Sequence, residues 1–267
     1  CPYFMTAMMF GVVVLVVGIM VLGLVMRWFQ QNRTSLRAKY YAIILQRRDP
    51  DMDYFVHRQV GPEPTDTIIV AFAGGAVKMG GIPLLEFGQT VSKLNLDSIL
   101  VADPFQAWYL QDDNGTWNGQ KEWRDHFSPI LSKYQTILLI GNCLGGTGAL
   151  LFSDLATRVI SFAPLTTLEN SRGSYWLNTL RIPKSLKTNF TTLLQQSMSK
   201  CPAVYVYFSD CKDAYMAQDF PAGPNIHTQI VPQASIPSWL KQENRLIDFL
   251  RHHIDDARER LCTPILI

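Results

Sequence analysis

No charged side chain occurs in the first 26 residues of this chain of 267 residues. Within that stretch, residues 7–26 form an uninterrupted apolar run, AMMFGVVVLVVGIMVLGLVM. Such a run, as a helix, rises about 30 Å, which is the hydrocarbon thickness of a bilayer. A buried helix of a soluble domain is the alternative, although such helices seldom stay uncharged for so long. The absence of charge therefore predicts a single transmembrane anchor over residues 1–28.

Acidic side chains are also missing from the next segment. Residues 27–48 carry only basic charges, and the first acidic side chain is Asp49. Basic residues beside a span mark its cytoplasmic side, so the N-terminus is predicted to face out and the domain to lie on the cytoplasmic, matrix or stromal side. We expect residues 29–50 to form a basic juxtamembrane segment, either a helix on anionic lipid headgroups or a solvated linker helix.

A cleavable signal peptide does not fit this N-terminal region. The apolar run has no basic stretch before it and no small-residue cleavage site after it. The sequence begins with Cys1 rather than Met. The sequence is therefore expected to be either processed or incompletely represented, and removal of a targeting peptide would suit an organellar inner membrane or a thylakoid membrane.

The cysteines form no CxxC pair, and no histidine lies at a metal-ligand spacing from any of them. This pattern predicts neither a metal site nor a disulfide framework, and it suits a reducing compartment. The net charge of +2 lacks the basic excess of a nucleic-acid-binding domain. No cofactor is expected.

Beyond residue 50, short apolar runs alternate with amphipathic stretches such as 237–253. Several runs are apolar throughout, as strands buried on both faces of a parallel sheet are. Strands are predicted at 54–60, 67–73, 98–102, 136–140, 158–163, 203–208 and 227–231. The alternation predicts an α/β domain over residues 51–267, with a mostly parallel sheet flanked by helices. The stretch 165–200 has no matching strand and is predicted to be an inserted cap or lid.

Two glycines flank a cysteine directly after the predicted strand 136–140. The residues are Gly141-Asn142-Cys143-Leu144-Gly145, and a helix rich in small residues follows. In a sharp strand-to-helix turn of this kind the central side chain stands above the sheet, and the flanking positions must be small because neighbouring backbone passes close to them. The helix N-terminus behind Cys143 would favour a thiolate and could hold an oxyanion.

This pattern resembles the α/β-hydrolase superfamily, with Cys143 where most members have serine. The resemblance implies an oxyanion hole made by backbone N–H groups of Gly74, Gly75 and Leu144. It also implies an acid after the strand 203–208, at Asp213 or Asp210. The segment 103–109 resembles a cap or substrate-side loop of bacterial members.

Histidine is missing where this resemblance requires it. The loop after the last predicted strand, 231–238, reads VPQASIPS and contains no imidazole. Without a general base the nucleophile is not activated and the leaving group is not protonated. Cys143 is then either a vestigial nucleophile packed as a small apolar residue or a thiol that acts without a base.

Three functions fit these features. The first is an accessory, scaffold or assembly subunit of a membrane complex, with the lipid bilayer and other subunits as partners. The alternative is a membrane-tethered, Cys-dependent hydrolase or acyltransferase that acts on an ester, thioester or lactone. A further alternative is a pocket for a small ligand or lipid without turnover. The missing imidazole favours the first.

The predicted topology can be tested by protease protection of the full chain in intact cells or mitoplasts, whose outer face is the side on which the N-terminus is predicted. External protease should remove an epitope tag placed before Cys1 and should spare residues 49–267 until detergent opens the membrane, because the basic segment stays inside. Digestion of the domain in intact membranes would show the opposite orientation.

Overall fold

Seven strands lie in the part of the chain that the computed structural model describes, which is residues 56–75, 86–103, 105–112, 115–168, 182–211 and 214–262. They are β1 (Val56–Gln59), β2 (Thr67–Phe72), β3 (Asp97–Val101), β4 (Thr136–Asn142), β5 (Arg158–Phe162), β6 (Val204–Ser209) and β7 (Ile226–Val231). Each lies within two residues of a predicted strand, and β1 begins at the first residue described.

The strands form one sheet in the order β1-β3-β2-β4-β5-β6-β7. β1 pairs with β3 in the antiparallel direction, and the other neighbours pair in parallel. The order runs outward in both directions from β2 and β4, so the carboxyl ends of these two neighbours meet at the point where a site is expected in an open α/β sheet. The mostly parallel α/β sheet predicted from the sequence is confirmed.

Helices cover both faces of this sheet. They are α1 (Gly88–Ser92), α2 (Gly119–Leu131), α3 (Leu144–Leu151), α4 (Lys184–Met198), α5 (Ala214–Gln218), α6 (Ile236–Gln242) and α7 (Leu246–Cys262), with a 3-10 turn at Ser153–Leu155. One core, which includes Leu139 and Val159, packs under α2, α3 and α4. The other includes Leu138 and Ile160 and packs under α1, α6 and α7. Alternate residues of a strand enter opposite cores, which is why the central strands are apolar throughout.

The predicted helix 237–253 is two helices, α6 and α7. Asn244 has a φ of 55°, in the left-handed region, and ends α6. The N–H of Arg245 donates to the carbonyl of Leu240 at 2.8 Å, and the N–H of Asn244 donates to that of Lys241 at 3.1 Å. These two bonds form a Schellman motif, which asparagine supports because it tolerates the left-handed conformation. A periodicity of apolar residues that continues through the break concealed it.

The predicted insertion 165–200 is in part a layer of the domain. Helix α4 occupies its second half, and Phe190, Leu194 and Met198 are fully buried in the core under the sheet. This helix therefore belongs to the core layer on this face of the sheet. Residues 169–181 lie outside the described residues, and a cap formed by them stays a prediction.

The predicted membrane anchor, residues 1–28, and the basic segment, residues 29–50, also lie outside the described residues. Among the helices of the described ranges, none combines the length and the hydropathy of a membrane span.

Arg158, the first residue of β5, carries a buried positive charge at the amino-terminal edge of the sheet. Its side chain is 1% exposed and forms an ion pair with Asp256 of α7. Its guanidinium lies over the ring of Tyr205 and approaches His253 Nδ1 at 3.3 Å. Burial and the nearby Arg158 lower the pKa of His253 to about 4, because both disfavour the imidazolium. The edge opposite Cys143 is therefore a structural cluster that holds α7 against the sheet.

This cluster predicts a pH dependence of stability. The unfolded chain protonates His253 at its ordinary pKa near 6.5, whereas the folded chain does so only near 4. The unfolded state therefore binds more protons between these values, and the free energy of unfolding falls as the pH falls through this window. Replacing His253 by Phe should remove about 2 kcal/mol of the loss between pH 7 and pH 5, measured by urea denaturation of the full chain in mild detergent.

The neighbouring His252 provides a matched control, since its side chain is exposed. His252→Phe should change the pH dependence much less than His253→Phe, because His252 is a smaller cause of the lowered pKa of His253 than burial and Arg158. Carboxylates that titrate in the same range are common to the wild type and both variants. The difference in pH dependence between the three proteins therefore reports on the histidine alone. Equal pH dependence of His253→Phe and the wild type would contradict the assignment.

Candidate functional site

Cys143 lies at the sharp turn between β4 and α3, at the carboxyl edge of the sheet. Its backbone has a φ of 54° and a ψ of −115°, a conformation that side-chain-bearing residues rarely adopt. Its N–H donates to the carbonyl of Phe162 at 2.8 Å, and its side chain is exposed. Strain of this kind costs about 1–3 kcal/mol and persists where the surrounding structure imposes it. The structure thus presents the thiol above the sheet, and Cys143 is not a buried apolar residue.

Gly141 and Gly145 leave no room for a side chain. A Cβ on Gly141 would lie 2.1 Å from the carbonyl oxygen of Gly145, and a Cβ on Gly145 would lie 2.1 Å from that of Phe72. Both neighbours are backbone atoms, which cannot move aside without shifting a strand or a helix. The glycine spacing in the sequence therefore reports two close backbone approaches that form the turn.

The loop after β2 runs beside this turn. Phe72, the last residue of β2, is in register with Gly141 of β4, and Gly74 follows two residues later in the loop. A Cβ on Gly74 would lie 2.9 Å from the carbonyl oxygen of Asn142, whereas one on Gly75 would meet no atom within 4 Å. On the other side of the turn, Leu144 is the first residue of α3, where backbone N–H groups have no acceptor within the helix. The structure thus places Gly74 and Leu144 at the Cys143 turn, and Gly75 follows Gly74 in the same loop; their role as an oxyanion hole stays a prediction.

Glu86 is a residue of this site that sequence reasoning missed. Its Oε2 accepts a hydrogen bond from the Gly74 N–H at 2.9 Å, and its Oε1 accepts one from Asn142 Nδ2 at 3.0 Å. Burial raises the pKa of the Glu86 carboxyl, and the bonds from Asn142 and Gly74 act in the opposite direction. The one signal in the sequence is an acidic residue placed between apolar Leu85 and Phe87. Only the fold shows that it reaches the Gly74 amide.

The segment 103–109 contacts the loop after β2. Asp103 is buried, and its carboxylate accepts backbone N–H bonds from Phe105 at 2.9 Å, Ala107 at 2.7 Å and Tyr109 at 2.8 Å. Desolvation nevertheless raises the pKa of Asp103 to about 6. The Tyr109 hydroxyl donates to the carbonyl of Ala73 at 2.9 Å, directly before Gly74. The described part of the segment is buried and supports the loop after β2, and the interpretation as a cap or substrate-side loop stays a prediction.

Of the two predicted acids, Asp210 is described and Asp213 lies outside the described residues. Asp210 follows β6 and is exposed, and its N–H donates to the carbonyl of Val231 at 3.0 Å. β6 is two strands from β4, which places Asp210 about 10 Å to the side of Cys143. The distance between Asp210 and Cys143 leaves space for a base between them, such as a side chain from the loop after β7.

All five histidines lie on described elements, and none lies on the loop after β7. His57 is in β1 and His227 in β7, each three strands from β4, or about 14 Å to the side. His253, on α7, faces the opposite edge of the sheet through Arg158, and His252 precedes it on the same helix. His126 is past the middle of α2, which descends toward the start of β4. No undescribed position holds a histidine, so the chain has no other imidazole to offer.

Comparison with known proteins supports the fold. No protein-family model and no curated protein sequence matches this chain. Among solved structures, an S-formylglutathione hydrolase from Agrobacterium tumefaciens is 10% identical, with 75% of this chain and 88% of that chain covered and a TM-score of 0.53. MenH from S. aureus is 12% identical, with 77% and 100% covered and a TM-score of 0.48. The peroxisomal alpha-beta-hydrolase Lpx1 from Saccharomyces cerevisiae is 11% identical, with 79% and 83% covered and a TM-score of 0.48. At such identities the likeness concerns the fold alone, and the described part of this chain has the fold of the α/β-hydrolases.

Proposed function

We propose that this protein is a membrane-anchored α/β-hydrolase-fold domain that does not turn over a substrate and acts as an accessory, scaffold or assembly subunit of a membrane complex. The observation that carries the proposal is the placement of the imidazoles. Every histidine of the chain is on a strand or helix, and the loop between β7 and α6 has none. The domain keeps the shape of a hydrolase and lacks the group that would move its protons.

The chemistry of thiol acyl transfer explains why this absence matters. An imidazole takes the proton of the nucleophile, returns it to the leaving group and later activates water, and each such step is worth about 10²–10⁴-fold. Gln233 and Ser235, which occupy the loop after β7, do not titrate near neutral pH. A thiol depends less on a base than a hydroxyl does, so Cys143 could attack an activated ester once. The resulting thioester would then persist because nothing activates the water that hydrolyses it.

The membrane part of the proposal rests on the sequence. The uncharged residues 1–26 and the basic residues that follow support an anchor with the domain on the cytoplasmic, matrix or stromal side, possible hosts being an organellar inner membrane or a thylakoid. An inactive domain held at a bilayer retains its surface, and its partners would be the lipid and other subunits of a complex.

A second candidate is a membrane-tethered Cys-dependent hydrolase or acyltransferase. Two observations favour it, which are the exposure of the Cys143 thiol and the strained backbone on which it stands. Strain of this type concentrates at functional sites. The substrate would be an ester, thioester or lactone with a leaving group that departs without protonation.

The two candidates differ in turnover. With the purified full chain in mild detergent and a p-nitrophenyl ester, we expect release of nitrophenol to stop at about one equivalent per chain, because the acyl group stays on Cys143. Cys143→Ala should remove the release that belongs to Cys143, and mass spectrometry should separate the acylated Cys143 peptide from that of Cys211, which is also exposed. Repeated turnover that disappears in Cys143→Ala would establish the hydrolase instead.

The accessory role predicts a stable assembly. After mild solubilisation of native membranes, the chain should migrate on native electrophoresis with stoichiometric partner subunits, well above its own 30.2 kDa plus detergent. Cys143→Ala should assemble equally well, since a scaffold needs the fold and not the thiol. Migration as a single chain would contradict the proposal, and an intact assembly that loses its cellular function in Cys143→Ala would support the second candidate.

A further inference from the structure

The donor that an oxyanion would need is already donating to a carboxylate. An oxyanion hole works when its N–H groups lie about 2.7–3.1 Å from the position of the developing negative charge. Glu86 Oε2 lies 2.9 Å from the Gly74 nitrogen, so a carboxylate oxygen occupies the place in front of this donor. A substrate oxyanion cannot accept the same N–H at the same time, and it would also be repelled by the negative charge.

We propose that Glu86 is an internal blocking group, whose carboxylate fills the oxyanion position of the Cys143 site and suppresses acyl transfer to the thiol. This inference rests on the proposed function, because both concern the Cys143 site, and it gives a further reason for the lack of turnover. Glu86 is then a second obstacle besides the missing imidazole. It slows the first acylation of Cys143, not the later hydrolysis of the thioester.

The hydrogen bonds of Glu86 hold its carboxylate on the Gly74 donor. Here both carboxylate oxygens of Glu86 accept bonds, one from the Gly74 N–H and one from the Asn142 side chain. The carboxylate therefore spans the oxyanion loop and the residue before Cys143. Two converging donors hold a carboxylate in one orientation, which suits an occupant of a donor site.

The fold holds Glu86 at this place from one side. Phe87, the next residue, is buried in the core under α1, α6 and α7, together with Leu138 and Ile140 of β4. Asn142 follows Ile140 by two residues, so its side chain leaves β4 on the same face and reaches Glu86. Leu144 belongs to the core on the other face. Glu86 thus reaches the Gly74 donor from the side opposite the helix α3.

The test compares two reactions of Cys143 in the full chain. In acylation by p-nitrophenyl acetate, the thiolate attacks the carbonyl carbon, an oxyanion forms, and then the C–O bond breaks, nitrophenolate leaves and a thioester remains. In alkylation by iodoacetamide, the thiolate attacks a saturated carbon, iodide leaves and no oxyanion forms. Both rates depend on the same thiolate, so their ratio isolates stabilisation of the oxyanion. Labelling is followed at the Cys143 peptide by mass spectrometry, because Cys211 is also exposed.

Glu86→Ala should raise the ratio of acylation to alkylation about tenfold or more, because one freed oxyanion donor is worth up to 10²–10³-fold. Glu86→Gln should give a smaller rise, since the amide keeps an acceptor on the Gly74 N–H but removes the charge. Glu63→Ala, which removes an exposed acid elsewhere, should leave the ratio unchanged.

An unchanged ratio in Glu86→Ala would overturn the proposal, and a lower ratio in both Glu86 variants would show that the carboxylate assists the thiol. If Glu86→Ala does not fold, Glu86→Gln decides, because a ratio at or below the wild-type value contradicts blocking. These outcomes are separate from the proposed function, which depends on repeated turnover and not on the rate of the first acylation.

Discussion

Two approaches of backbone to backbone determine the geometry around Cys143. Gly145 passes under the carbonyl of Phe72, and Gly141 passes the carbonyl of Gly145, each with no space for a Cβ. These contacts bring the first turn of α3 against the ends of β2 and β4, and this forces Cys143 into its positive φ. The exposed thiol, the position of Gly74 beside it and the start of α3 behind it all follow from this packing. A side chain at either glycine would separate the helix from the sheet.

The described site places a strained turn at Cys143 beside the loop after β2, with an exposed acid, Asp210, after β6. The loop after β7 has no imidazole, and a carboxylate lies on the Gly74 donor. Packing stabilises a fold whether or not its site is active, so a hydrolase fold can be present without hydrolase activity. Under the proposed function, what remains useful is the surface and the attachment to the membrane.

Polar groups at the two edges of the sheet have different consequences. At the amino-terminal edge, Arg158 is paired with Asp256 and packed on Tyr205, so its charge ties α7 to β5. At the carboxyl edge, the carboxylates of Asp103 and Glu86 accept hydrogen bonds from backbone N–H groups of the loops beside Cys143. The first arrangement joins helix to sheet, whereas the second joins the loops after β2 and β3 to each other and to the end of β4.

Local pattern in the sequence was enough to determine the strands, their parallel arrangement and the turn at Cys143. Apolar runs and the glycine spacing depend on neighbours along the chain, and a strand buried on both faces has few alternatives. The local pattern did not predict the break between α6 and α7, which depends on one asparagine in the left-handed conformation. It also did not predict the packing of α4 into the core, which depends on the part of the sheet that the other helices leave uncovered. Glu86 could be located only by the tertiary structure, because its partners Gly74 and Asn142 are 12 and 56 residues away in the sequence. A hydrogen bond across such separations exists only once the sheet has brought the ends of β2 and β4 together.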